Sequence, residues 1–195
     1  IRWVHEAAEL GARRLGHAIA LGIDPEVYGQ HECTEPVAER IDQLSYDVRH
    51  AEGLQRHGVP INVQATQKER SAIEALPGDS ELTYSYDDAR LDEVRARQRY
   101  AMECVRSLGA IVEVCPTSNR RIGGISPQHH HPVHRFIEND VPFVVASDDP
   151  GIFGTALTDE IDWVVQAADL GAGAFEEIAD RSWRYRSEVL TGRVT

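Results

Sequence analysis

Apolar residues recur at helical spacing along much of the chain. Val4, Ala7, Ala8 and Leu10 share one face, and Gly11 closes it, which predicts a helix over residues 1–11. Val37, Ile41, Leu44, Val48 and Leu54 predict an amphipathic helix from Glu35 to Gln55, with Thr34 as N-cap and Pro36 in the first helical position. Leu91, Val94, Tyr100, Ala101, Cys104, Val105 and Leu108 predict a helix from Arg90 to Leu108, ended by Gly109. Met102 falls off that stripe and receives no role. Further helices are expected at Val133–Glu138, at a stripe running from Leu157 through Ile161 and Val164 to Leu170, and at Ala174–Leu190.

Between these helices lie short apolar runs of a different kind. Arg13–Ala20, Ile111–Val114 and Val141–Ala146 are continuous or β-branched rather than alternating, as buried parallel strands are. Each ends in polar residues: His17 near the end of the first, Cys115 and Pro116 after the second, Asp148 and Asp149 after the third. Val59–Val63 reads as a further short strand. Asp24-Pro25 and the tract Leu76–Ser80 are turn signals, and no repeat appears.

Composition narrows the class. Lys+Arg number 20 against Asp+Glu 32, a net charge of −12, which argues against an extended nucleic-acid surface. No apolar run reaches membrane-spanning length and no signal peptide is seen. Three cysteines, Cys33, Cys104 and Cys115, show no C-x-x-C spacing, so neither a disulfide scaffold nor a cysteine zinc site is expected, and a reducing cytoplasm fits.

The candidate chemistry sits at the strand ends. In α/β folds that edge of the sheet is where active sites are built. Asp148 and Asp149 are adjacent carboxylates, a repulsion that a bound cation or a substrate N–H would relieve; the alternative is a turn in which Asp149 caps the next helix. Cys115 reads as a small buried thiol, since no histidine base is implied beside it. Ser118 and Asn119 fall where a polar loop can shape a pocket. The run His129-His130-His131 has the wrong spacing for one metal ion and reads as a loop opening the next helix through His131-Pro132. His5-Glu6 reads as a solvated pair, and His31-Glu32-Cys33 is not taken as a metal site.

In order, Arg14-Leu15-Gly16-His17-Ala18, Glu113-Val114-Cys115-Pro116-Thr117-Ser118-Asn119 and Ser147-Asp148-Asp149-Pro150-Gly151-Ile152-Phe153 resemble three motifs of the adenosine deaminase family, R-[LIV]-G-H-G, E-[VIL]-C-P-x-S-N and [ST]-[DT]-D-P-x-[ILM]-F. The resemblance covers roughly residues 1–22 and 97–190. It implies an α/β fold, the C-terminal half of a (β/α)8 TIM-type barrel in segments 1–22 and 97–195, with a mainly helical insertion over 23–96 as lid or assembly element. The chain is short for a whole barrel, which needs about 250 residues. Ala18 stands where the family has glycine, which restricts the backbone after His17.

The resemblance further implies zinc-dependent hydrolytic deamination of adenosine or a related aminopurine nucleoside or nucleotide, in purine metabolism or in antiviral defence. Asp148 is the expected metal ligand, His17 the catalytic partner of the attacking water, and Asp149 the residue that binds the purine ring. The remaining ligands of the single Zn2+, in an H-x-H pair and an H-A-G-E motif, are absent from these 195 residues. The chain alone is therefore expected to be inactive, its N-terminal barrel half lying in the same polypeptide or a companion chain. Other expected partners are an aminopurine substrate and further copies of the protein in a homo-oligomer, because the Glu35–Gln55 stripe must be covered by a barrel rim or another protomer. The alternative from another class is an inactive barrel-derived scaffold or regulatory subunit, which would not need His17, Asp148 and Asp149 together.

Overall fold

The computed structural model describes residues 1–29, 32–126 and 128–191, the last six as backbone. His31 lies outside the described residues. In chain order the elements are α1 (Arg2–Glu9), β1 (Arg14–Gly16), α2 (Pro25–Tyr28), β2 (Glu32–Pro36), α3 (Val37–Arg49), α4 (Ala51–Arg56), α5 (Val63–Glu74), β3 (Glu81–Ser85) and α6 (Asp88–Ser107). They continue with β4 (Ile111–Val114), α7 (Pro116–Arg121), α8 (Val133–Glu138), β5 (Phe143–Val145), α9 (Pro150–Phe153), α10 (Leu157–Ala167) and α11 (Ala174–Thr191). The chain divides into two compact units, Ile1–Trp3 with Asp24–Ala101, and Val4–Ile23 with Met102–Thr195. Among the described residues no helix is long and apolar enough to cross a membrane.

The second unit is mixed α/β. Its described strands form a parallel sheet in the order β1-β4-β5, with Leu15 opposite Val112 and Val114 opposite Val145. Ile111, Val112, Val114, Val144 and Val145 are buried, as are Val133 and Phe136 of α8 and Ile161 and Val164 of α10. Strands covered on both faces need the continuous apolar runs seen in the sequence. Ser182 and Arg181 of α11 donate to or accept from the outer side of β5: Val145 N–H donates to Ser182 Oγ (3.0 Å) and Arg181 donates to the Phe143 carbonyl (3.2 Å). The β5 edge thus meets side chains rather than another strand.

Three expectations change in this unit. The strand expected over Arg13–Ala20 stops at Gly16, because His17 and Ala18 take positive φ (59° and 45°) and a 3-10 turn follows at Ile19–Leu21. Met102 is fully buried although it lies off the apolar stripe of α6. His5 is also buried, within 3.6 Å of Glu9 one turn on, and is not a solvated residue.

The first unit differs more from the expectation. Thr34 and Pro36 belong to β2, which pairs antiparallel with β3 and places Thr34 opposite Thr83. The helix begins at Val37 and is interrupted at His50, so α3 and α4 replace one continuous helix. Val59–Val63 forms no strand: Asn62 accepts from Ala65 N–H (3.0 Å) and caps α5. Val37 and Leu44 pack with Ile73 of α5, and Ile41 and Leu82 lie against them. The α3 stripe is therefore covered inside its own unit.

Candidate active site

β1, β4 and β5 run parallel, so their C-terminal ends share one edge of the sheet. His17 follows β1, Cys115 follows β4, and Asp148 lies three residues beyond β5. β4 is the middle strand, yet the side chains from its two neighbours converge: His17 Nε2 is 3.9 Å from Asp148 Oδ2. Both side chains remain accessible, at 40% and 37% exposure. A ligand can therefore reach both. His17 is anchored through its own N–H, which donates to the Glu113 carbonyl (2.9 Å), and Asp148 carries a left-handed backbone, φ 55°. Non-glycine residues are uncommon in that region, aspartate and histidine less so than most, and such outliers cluster at functional sites.

Asp149 forms the turn that the adjacent-carboxylate pattern offered as its alternative. Its Oδ1 accepts from Ile152 N–H (3.2 Å) and caps α9, with Pro150 in the first helical position. The cap fixes the carboxylate. Among the described residues its second oxygen takes no hydrogen bond.

Asn119 is brought to the centre. It lies in α7 rather than in a polar loop, and both it and Ser118 are buried. Its Oδ1 is 2.8 Å from His17 Nδ1 and its Nδ2 is 3.2 Å from His131 Nε2. His131 separates from its neighbours: His129 and His130 stack edge to face in a 3-10 turn, while His131 is 1% exposed against Trp163. Burial, followed by the charges of His134 and Arg120, lowers its pKa to about 3. Cys115 is the inert thiol expected. Burial and the carboxylates of Glu113 and Asp148 push its pKa up to about 12.

Glu160 is the residue that sequence reasoning passed over. It is 1% exposed, and its Oε2 accepts from Thr117 N–H (2.8 Å) at the start of α7, where Cys115 supplies no side-chain cap. A carboxylate from α10 thus holds the helix that carries Asn119. The signal was present: Glu160 sits between Leu157 and Ile161 on the buried stripe of α10, where a charge has no reason to be unless it is bonded. Arg14 and Glu113 form a half-buried ion pair between β1 and β4.

Asp148 has the chemistry of a metal donor, an accessible carboxylate oxygen. Among the described residues no group of three or more histidine, cysteine or carboxylate donors gathers around it. It can serve as one ligand of a set that these residues do not complete.

Residues 86–186, more than half of the chain, match the family model described as adenosine deaminase. The chain belongs to the adenosine deaminase family. Among its relatives, the aminodeoxyfutalosine deaminase of Acidothermus cellulolyticus is 41% identical over 56 residues, 29% of this chain and 16% of that protein. The adenosine deaminase-like protein of Drosophila pseudoobscura pseudoobscura is 44% identical over 55 residues, 28% of this chain and 16% of the relative. The adenine deaminase of Aspergillus fumigatus is 33% identical over 81 residues, 42% of this chain and 23% of the relative. The chain thus spans less than a quarter of each of these deaminases. The family match contains Asp148, Asp149, Asn119, His131 and Glu160; His17 lies outside it and joins them only in space.

Proposed function

We propose that this chain supplies part of the active site of a metal-dependent aminopurine deaminase. The convergence of His17 and Asp148 carries the reading, because the two residues come from non-adjacent strands and only one lies within the family match. The reaction exchanges the 6-amino group of an aminopurine for oxygen: water adds to the ring carbon and ammonia leaves. The names of the relatives put adenosine, adenine and aminodeoxyfutalosine forward as substrates.

Asp148 would hold the divalent ion, zinc, together with ligands from outside these residues. Such an ion supplies water of lowered pKa. His17 hydrogen-bonds the incoming oxygen and stabilises charge as it adds to the ring. Asp149, its first oxygen fixed by the α9 cap, would use the second to accept from, or share a proton with, a purine ring nitrogen. β1 is an edge strand of the described sheet, which leaves its outer side for a further strand of a (β/α)8 barrel, whereas the outer edge of β5 is held by Ser182 and Arg181 of α11. The segment 23–96 would be an insertion between barrel segments, a lid or an assembly element.

The test is ammonia release from adenosine, adenine and aminodeoxyfutalosine by the complete zinc-loaded protein. Turnover of at least one, lost in His17→Ala with zinc content retained, is expected. A folded, metal-loaded protein inert toward all three would overturn the deaminase reading and favour a scaffold.

A further inference from the structure

The direction of the Asn119 amide decides what His17 offers to a ligand. An amide donates at one end and accepts at the other, and its outline does not say which end is which. The answer comes from the far side of His131. Val133 opens α8, so its N–H has no acceptor within the helix; it donates instead to His131 Nδ1 (3.2 Å). That nitrogen must therefore carry the lone pair. His131 is buried and stays neutral across the physiological range, since its pKa falls to about 3. A neutral imidazole with a lone pair on Nδ1 has its proton on Nε2.

The structure sets Asn119 Nδ2 against His131 Nε2 (3.2 Å) and Oδ1 against His17 Nδ1 (2.8 Å), so an Nε2–H on His131 would meet a second donor; turning the amide end for end, which its outline permits, gives that N–H the oxygen as acceptor. In the turned amide the NH2 takes the oxygen's place beside His17 Nδ1 and donates to it. With Nδ1 accepting, a neutral His17 holds its proton on Nε2, the nitrogen that faces Asp148. The reverse arrangement sets an Nδ1–H of His131 against the N–H of Val133. Two donors would then meet in a buried position and leave a main-chain group unsatisfied, which costs about 1–3 kcal/mol.

We propose that the main-chain N–H of Val133, relayed through His131 and Asn119, locks His17 in its Nε2–H tautomer. His17 then presents a hydrogen-bond donor, not a lone pair, to whatever binds beside Asp148. The catalytic meaning rests on the deaminase reading: His17 holds an oxygen in place and is not the group that takes a proton from water. Asn119 and His131 are positioning residues for it.

The experiment is long-range 1H–15N correlation NMR of the 15N-histidine-labelled full chain at alkaline pH. His17 and His131 are both expected as Nε2–H tautomers. Asn119→Asp replaces the amide by a group that only accepts, so His17 should move to Nδ1–H while His131 is unchanged. Should that variant not fold, His131→Phe removes the relay, and a mixture of His17 tautomers is expected. An Nδ1–H His17 in the wild type overturns the proposal, as does a His17 tautomer that ignores these substitutions. The spectra are read without turnover, so failure of the deaminase reading leaves this result separate.

Discussion

His17 and Asp148 face each other across the end of β4, Nε2 to Oδ2 at 3.9 Å, and each holds a left-handed backbone. Neither is glycine, so each φ works against the intrinsic preference of an L-residue by about 1–2 kcal/mol, somewhat less for aspartate. Strain at both partners of one contact is what a site aimed by its loops looks like.

Asp148 should therefore trade stability for function. Asp148→Gly relieves the backbone and is expected to raise the unfolding free energy by about 0.5 kcal/mol or more, while metal binding by the complete protein falls severely. Denaturant titration and zinc content measure the two effects. Normal zinc occupancy in the folded variant would remove Asp148 from the ligand set.

Ala18 gives the contrasting case. It occupies the left-handed region at φ 45°, where the related motif has glycine, and no hydrogen bond depends on its side chain. Ala18→Gly should stabilise the chain by about 0.5–1 kcal/mol, since relief of the Cβ clash outweighs the added freedom of the unfolded chain. The measurement is a shift in denaturation midpoint at unchanged slope; a destabilised variant would mean that the buried methyl outweighs the strain.

The strands that carry the site were legible because parallel, doubly covered strands leave continuous apolar runs, and β4 appears at its expected residues Ile111–Val114. The inert Cys115 was legible from its place at the end of such a run. The β2–β3 hairpin was not: its residues alternate exposed and half-buried, and Thr34 and Pro36 carry signals that suit a helix start equally well. Nor was α5, which buries Ile73 alone of its residues and shows a weak stripe. Missing α5 left the α3 stripe without a partner and made an outside surface appear necessary. Asn119 was visible as a motif residue, but its bridging of two histidines depends on α7 being a helix capped from Glu160, 43 residues away in sequence.

The buried imidazole sets a pH dependence. His131 has a folded-state pKa lowered from 6.5 to about 3, so the unfolded chain binds a proton first as pH falls. Stability from this group is complete above pH 6.5 and is lost progressively as pH drops toward 3. By pH 4 the loss amounts to roughly 3 kcal/mol. His131→Gln does not titrate there. Its stability between pH 6.5 and 4 should decline less steeply than that of the wild type in parallel denaturant titrations. Equal slopes would show that His131 is reached by solvent.

Gly53 should reverse the usual helix rule. It lies inside α4, where glycine normally costs about 1 kcal/mol relative to alanine, so Gly53→Ala would ordinarily stabilise. Here a Cβ would fall 2.4 Å from Tyr100 Cε2 and 2.9 Å from Cζ. Tyr100 cannot easily yield: its ring is 7% exposed, its hydroxyl lies 3.1 Å from His50 Nδ1, and His57 packs edge-on against it at 5.4 Å. Moving the ring would disturb both histidines as well as the helix. Gly53→Ala is therefore expected to destabilise the unit of Asp24–Ala101 by about 1–3 kcal/mol, the cost of overpacking a filled core. The decisive comparison is a double-mutant cycle with Tyr100→Ala. In that background the obstruction is gone, and Gly53→Ala should become neutral or stabilising by up to about 1 kcal/mol. A penalty of the same size in both backgrounds would place the cost in the α4 backbone and not in the contact with Tyr100.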